Sequence, residues 1–543
     1  MTWTYGLGIG GGPFSPAGPS GLAAIQRDAL IYRQEGGAQL NVTRADNASA
    51  VASIDKYNGL KTLDDYVNLY DDEWVNSTFP TGVSPGILSN YTQDLLFSME
   101  RLSFNPYAVR RLSTEEELPF YMDDQLARDI AEQSLGELQG SERLFYVDHR
   151  NQSSLTRVTD GKYAAACDAY FYISQSSGEF LPLAIRTNTN NSLIYTPQDS
   201  AEDWLLAKMI FNANDFFMAQ FHHLSNTHYV AEIAYQAAIR TLSEEHPVLA
   251  ILSRIMYGTF GIRPSAVSTL FAPGAAVDRY FGYTGAAAAQ YSEDLYASGY
   301  AGAFRSNYLA DNLKRRGLIN STGPALKHFP FYENALPIYQ VTRKFISRFV
   351  DSYYCDTQAL VKDQELQAWL TEASGPAQVI DFPNREDLKT TSDLVDILTH
   401  IAHLSTSAHH AINLNQLITG AGALPFHPTA LYKPIPTAKG VTDVASYLPP
   451  LEKCLGLIVV EANFARPLLA GTNRSLVHMF DDEKMLKRMN QATRDANAKF
   501  MAEMRVRSEV VRNRTFDQDG LSQGMPFLWK ALDPEVIPWS LSI

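Results

Sequence analysis

Five groups in this sequence could meet at one metal ion. His223 and His228 stand in Phe221-His222-His223-Leu224-Ser225-Asn226-Thr227-His228, and His409 and Asn413 in His409-His410-Ala411-Ile412-Asn413. The fifth is the carboxylate that ends the chain at Ile543. Residues four apart share a helix face, so His409 and Asn413 project together. His223 and His228 are five apart, which on a regular α-helix swings the second ring away from the first. A π-bulge, with its i→i+5 bond, restores the alignment. Ser225 and Asn226 between them are weak helix formers and tolerate that distortion. Three imidazoles and a carboxamide, without thiolate, suit Fe(II) or Mn(II) better than a structural zinc. The missing anion has to come from elsewhere, and the chain end can supply it. His222, His400, His403 and His410 compete from the same segments, and a buried histidine is more often a hydrogen-bonded core residue than a ligand. Cys167, Cys355 and Cys454 include no Cys-x-x-Cys pair and allow one bridge at most.

These groups need long buried helices to hold them. Ser200, with Asp203 three residues on, reads as a capping box after Pro197. No Pro or Gly interrupts from there to Pro247, which predicts a helix over about 200–246, apolar on more than one face and therefore central. A second central helix is predicted over 392–418, with Gly420 past its end. A third apolar stretch runs from Cys454 to Ala462. The charged segment Asp481 to Arg512 reads as solvent-facing. Between 143 and 187 the pattern turns to strands: Arg143–Val147, Tyr170–Ile173 and Phe180–Ile185, the last two flanking Ser176-Ser177-Gly178, a hairpin signal. The first 50 residues, rich in Gly, Pro, Ala and Ser, read as a surface-hugging or mobile segment. Gly8-Ile9-Gly10-Gly11-Gly12-Pro13 resembles no phosphate loop, since no strand precedes it and no Gly-Lys-Ser/Thr follows. The fold class is mainly α, a large single domain round two long helices with small antiparallel β elements.

Composition sets outer limits. The 543 residues are 45% hydrophobic and 19% charged, as in a globular protein with no limit on core size. A formal net charge of -14 argues against nucleic acid as a partner. No apolar run reaches the roughly 18 residues of a membrane span. Nine Asn-x-Ser/Thr sequons, at Asn41, Asn47, Asn76, Asn90, Asn151, Asn190, Asn320, Asn473 and Asn513, read as those of a secreted glycoprotein whose signal peptide has been removed.

After about Arg143 the chain resembles the lipoxygenase family, and the elements of that resemblance stand in order. Leu181-Pro182-Leu183-Ala184-Ile185 follows the glycine hairpin, then Trp204-Leu205-Leu206-Ala207-Lys208, with Asp215 downstream. His223-x4-His228 with Glu232, Arg240-Thr241-Leu242 and His246-Pro247-Val248 come next. His409-x3-Asn413, Leu424-Pro425-Phe426-His427-Pro428-Thr429 and Ile537-Pro538-Trp539-Ser540-Leu541-Ser542-Ile543 close the series. The Trp204 motif comes too early for the N-terminal β-barrel of plant and animal members. The chain looks like the compact secreted lipoxygenases of filamentous fungi, and Arg263-Pro264-Ser265-Ala266 before Leu270-Phe271-Ala272-Pro273-Gly274 also looks like that group.

The resemblance implies a metal held by His223, His228, His409, Asn413 and the carboxylate of Ile543, with His222 and His410 set aside. It implies hydrogen abstraction from the bis-allylic carbon of a polyunsaturated fatty acid such as linoleate or linolenate, followed by addition of O2 to give a hydroperoxide. No side chain need act as acid or base. Some fungal members use manganese and end in Val, so the terminal Ile543 points to iron, with manganese as the alternative. Ala266 stands where Ala goes with S products, and Leu270 and Phe271 are expected beside the pentadiene and the oxygen path. Arg466 and Lys433 are candidates for the fatty-acid carboxylate, though a solvated surface charge is the plainer reading of each. A monomer is expected. Two other readings stay open: a hydroperoxide isomerase on the same scaffold, and a non-catalytic secreted lipid- or metal-binding protein. A ferritin-like di-iron bundle does not fit, because it needs two Glu-x-x-His helices.

Overall fold

The computed structural model describes residues 19–54, 59–70, 83–190, 193–413 and 426–542. Helices make up most of it, with one antiparallel sheet packed against them. The strands β1 (Arg110–Arg111), β2 (Leu144–Asp148), β3 (Asp168–Ile173), β4 (Phe180–Arg186) and β5 (Ile194–Tyr195) pair in chain order. The three strands expected over 143–187 are β2, β3 and β4, and the two edge strands are too short to show a pattern. Gly178, at φ 72°, turns the β3–β4 hairpin through a conformation that disfavours other residues. The β3–β4 register slips between Tyr170 and Phe171, where Phe171 faces Pro182, a residue with no N–H for a ladder. Phe145, Val147 and Ile173 face the main core, while Leu144, Tyr146 and Tyr172 face a smaller one, so both sides of the sheet are covered. Among the described residues no β-barrel precedes the helical domain.

The first central helix is continuous but changes winding. It runs as Ala201–His223, passes through a π-helical turn over Leu224–Tyr229, and continues as Val230–Thr241. Ser200 caps it, accepting from the Asp203 N–H at 3.2 Å. The expected return bond of a capping box is not made. Asp203 instead accepts from the Gly440 and Val441 N–H groups and pins that loop to the helix start. Nearly every residue from Asp203 to Ala219 is buried, as an all-round apolar pattern requires. The second central helix behaves the same way: Thr391–His403, a π-helical turn over Leu404–Ala408, then His409–Asn413. Its expected end at Gly420, and Leu424-Pro425 of the following motif, lie outside the described residues.

Two expectations need correction. The 1–50 segment contains a long helix, Pro19–Ile54, that packs on the Leu451–Ala465 helix and buries Asp28, Tyr32 and Gln39. Beyond Pro19 good helix formers outnumber the Gly and Pro punctuation, and propensity with packing prevails. The Asp481–Arg512 segment is two helices, Glu483–Arg488 and Gln491–Arg512, separated at Asn490, whose side chain caps the second by accepting from the Thr493 N–H at 2.9 Å. One face of that second helix buries Phe500, Met504 and Val511, with Phe500 against Phe345 of the Pro330–Tyr353 helix. The three cysteines are free thiols. No described helix is long and apolar enough to cross a membrane.

Candidate metal centre

The two π-helical turns aim the histidines at each other. Each turn begins with a Leu-Ser pair and leads into an inward imidazole: Leu224-Ser225 into His228, Leu404-Ser405 into His409. In both, hydroxyls bond back to carbonyls four residues earlier: Ser225 to Phe221 at 2.8 Å, Thr227 to His223 at 2.6 Å, Ser405 to Ile401 at 2.9 Å and Thr406 to Ala402 at 2.6 Å. These back-bonds accompany the widened turns, and the Phe221 and Ile401 carbonyls also accept from the Leu224 and Leu404 N–H groups. The first π-turn is the one the five-residue spacing required. The second was missed, although the repeated Leu-Ser with following Thr was a visible signal.

One ring nitrogen each of His223, His228 and His409 lies within 4.8 Å of the other two. His228 Nε2 and His409 Nε2 are 3.1 Å apart. Two nitrogens bound at right angles to one ion would be about 3 Å apart for a metal–nitrogen bond of roughly 2.1 Å, the value for zinc. The neighbouring groups fix the rings. His223 Nδ1 donates to the Gln220 carbonyl at 2.6 Å, which leaves Nε2 as the lone-pair nitrogen. His228 Nδ1 faces the Glu232 carboxylate at 3.6 Å. Burial, with His228 and other imidazoles close by, holds His223 well below the ordinary histidine pKa, so its ring is neutral and able to ligate. Asn413 is 1% exposed; its Nδ2 donates to the Phe464 carbonyl at 3.0 Å, while its Oδ1 is buried with no hydrogen-bond partner. A converged set of imidazole nitrogen donors, with an orphaned amide oxygen on the helix face shared with His409, fits a divalent transition-metal ion.

The rival histidines point elsewhere. His222 stacks on Tyr107 with ring centres 4.8 Å apart, and burial lowers its pKa to about 3. His410 is fully buried beside the Pro538 backbone, and burial lowers it likewise to about 3. His400 packs edge-on to Phe304, and His403 Nδ1 meets the Ser407 hydroxyl at 2.8 Å. Neither belongs to the cluster found among the described residues.

Ile543, the expected fifth donor, lies outside the described residues. The segment leading to it is held tightly: Trp539, Ser540, Leu541 and Ser542 are all fully buried. Arg474 donates to the Trp539 carbonyl at 3.1 Å and the Ser542 hydroxyl at 2.7 Å, and pairs with Glu35 of the Pro19–Ile54 helix at 2.7 Å. Nothing in the sequence pointed to Arg474.

His223 and His228 also border a cavity. Ala266, Leu270 and Phe271 line it, on the Ile262–Ala266 helix and the π-helical turn that follows, with Phe216, Phe221, Val277, Phe281, Leu457, Val460 and Phe464. The wall is almost wholly apolar. Arg466 and Lys433 do not line it. Arg466 is 1% exposed, not a solvated surface charge, and pairs with Glu35 at 3.2 Å beneath the Tyr32 ring. Lys433 is half-exposed, 3.8 Å from Asp443. No residue described as lining the cavity is Lys or Arg.

A helical domain in which three imidazoles converge, two of them at the wall of an apolar cavity, has the layout of a mononuclear metal centre serving a site for an apolar ligand. The family model Lipoxygenase matches residues 119–518, and the chain belongs to the lipoxygenase family. The manganese lipoxygenase of Fusarium oxysporum (strain Fo5176) is 46% identical over 98% of this chain and 88% of its own length. That of Nakataea oryzae is 44% identical over 98% of this chain and 87% of its own length. A solved manganese lipoxygenase structure superposes with a TM-score of 0.95 at 42% identity, covering 100% of this chain and 96% of that one.

Proposed function

We propose that the protein is a manganese-dependent dioxygenase that inserts O2 into a polyunsaturated fatty acid, linoleate or linolenate, and releases an S hydroperoxide. The observation that carries this reading is the imidazole triad at the wall of the apolar cavity. The terminal Ile543 favoured iron; the names of the fungal relatives reverse that order and favour manganese, with iron as the alternative. His223, His228, His409 and Asn413 are the proposed ligands, with the carboxylate of Ile543 as the anionic fifth. Bound there, a redox-active ion supplies the one-electron oxidation that removes a hydrogen atom from the bis-allylic carbon.

The chain's own residues do the rest. The Gln220 carbonyl orients the His223 imidazole, and the Glu232 carboxylate stands 3.6 Å from His228 Nδ1, on the side of the ring away from the cluster. Phe216, Phe221, Phe271 and Phe281 make a dry wall, so the acyl chain lies where a radical is shielded from water. Ala266 leaves space beside the pentadiene and is the proposed determinant of the S product, with Leu270 and Phe271 bordering the oxygen path. Secretion with glycosylation is supported by the exposed sequon residues Asn41, Asn151, Asn190, Asn320, Asn473 and Asn513.

The test is an oxygen-electrode trace with linoleate, read beside conjugated-diene absorbance. The proposal expects both signals together. Hydroperoxide consumption without O2 uptake would replace it with the isomerase reading, and no turnover by metal-replete protein would leave a binding protein. Appending one Gly after Ile543 should abolish turnover with the fold intact; unchanged turnover would remove the chain end from the ligand set.

A further inference from the structure

Glu461 is an acid in the wrong surroundings. It lies on the Leu451–Ala465 helix, 2% exposed, at the cavity wall between Val460 and Phe464. Neither of its carboxyl oxygens has a hydrogen-bond partner. Burial raises its pKa well above the ordinary carboxylic value, and no cation among the described cavity residues opposes that shift, so the group stands neutral, with one O–H to donate and one oxygen to accept. The same cavity has a second unanswered group, the Gln220 Nε2 amide, whose backbone carbonyl holds His223. Buried polar groups are almost always paired, and an unpaired one in a cavity wall is answered by what the cavity binds.

We propose that Glu461 forms a polar subsite, inside the largely apolar cavity, for a neutral oxygen function carried along an acyl chain: a hydroxyl or hydroperoxide rather than the carboxyl head. The chemistry selects this ligand. A hydroxyl accepts from the acid's O–H and donates to its carbonyl oxygen, which satisfies both atoms. A carboxylate head would bring a further acidic group into a low-dielectric wall that already holds Glu461 and Glu232, with no Lys or Arg among the described lining residues to balance it. The inference rests on the cavity being the acyl site, as proposed above, and adds that oxygenated chains are ligands in their own right.

The experiment measures equilibrium binding to the full metal-loaded chain. The probes are octadecanoic acid and a positional series of hydroxyoctadecanoic acids, none of which can be oxygenated as substrate. The expected result is that hydroxyls over one short stretch of the chain bind about tenfold tighter than the plain acid, the scale of one well-made buried hydrogen bond. Glu461→Leu should erase that preference, and Glu461→Gln should keep part of it. Equal binding at every position in the wild type would overturn the proposal, as would a preference that survives in Glu461→Leu. Weaker binding of the plain acid to Glu461→Leu, with the hydroxyl preference intact, would assign Glu461 to the carboxyl head and also overturn it. Binding by no acid at all would remove the acyl-site reading and this inference with it. Binding of the plain acid without any hydroxyl effect removes this inference alone.

Discussion

The first central helix carries two buried polar clusters, and they differ in kind. Towards its start, Asn212 and Asp215 meet Arg101, Glu100 and His149: Arg101 donates to Glu100 at 2.7 Å and to Asn212 at 2.8 Å, and His149 Nε2 meets Asp215 at 2.9 Å. Towards its end, His223 and His228 meet His409. The first cluster has charges of both signs. Burial pushes the Asp215 carboxyl up, yet Arg101 and His149 outweigh it and hold the group below its usual pKa. Glu100, with burial dominant, is pushed well above its own. The second cluster brings three imidazoles together, and no Lys or Arg is among the groups that converge there. A polar cluster that balances its own charge is architecture, whereas one that converges imidazole donors on a single point is a binding site.

The contrast makes graded predictions. The largest effect is expected at the histidines: His409→Ala should bring bound metal down to background in elemental analysis, with turnover lost in step, while far-UV circular dichroism is kept. Next is the balanced cluster. Arg101→Met leaves Asp215 with less to oppose its burial and should cost about 3–5 kcal/mol in urea unfolding. Metal bound per folded chain should stay unchanged, and equal metal loss would show that the two clusters are one. Third, Glu232→Gln should weaken metal affinity by roughly 10–100-fold without abolishing it, measured by competition with a chelator.

Much of this was legible in the sequence because periodicity and spacing carry it. The five-residue gap between His223 and His228 called for a π-turn, and Leu224–Tyr229 is one. The uninterrupted apolar run from Trp204 announced a buried helix, and the hairpin at Gly178 announced its strands. What stayed hidden depends on tertiary contact. Asp203 had the spacing of a capping box but serves the Gly440 loop, because a more distant pair of N–H groups reaches it. The Pro19–Ile54 helix was obscured by Gly and Pro around it and is secured by contacts with residues more than 400 positions on, at Arg466 and Arg474. Arg466 looked like a surface cation for the same reason. Glu461 was invisible as a site residue, since one acid in an apolar helix has no motif.

Two smaller effects sharpen the comparison. His427, beside the balanced cluster, has its pKa lowered by burial and then by Arg101, to about 3. The unfolded chain therefore binds a proton there between roughly pH 6.5 and 3 that the folded chain does not. Stability from this group is complete above about pH 6.5 and falls as pH drops towards 3, at up to roughly 1.4 kcal/mol per pH unit. His427→Gln should flatten the acid limb of the stability profile by up to one proton; an unaltered slope would place the titration elsewhere. The smallest effect belongs to exposed pairs such as Lys344–Glu503, 2.8 Å apart, where Lys344→Met should change stability by less than about 1 kcal/mol.

The most direct test of the central claim is elemental analysis of the purified wild type beside His223→Ala, His228→Ala, His409→Ala and Asn413→Ala. The account predicts close to one manganese per wild-type chain, or iron in its place, and near-background metal in each histidine variant with the fold retained. Wild-type protein with neither metal, or histidine variants that keep a full equivalent, would contradict it.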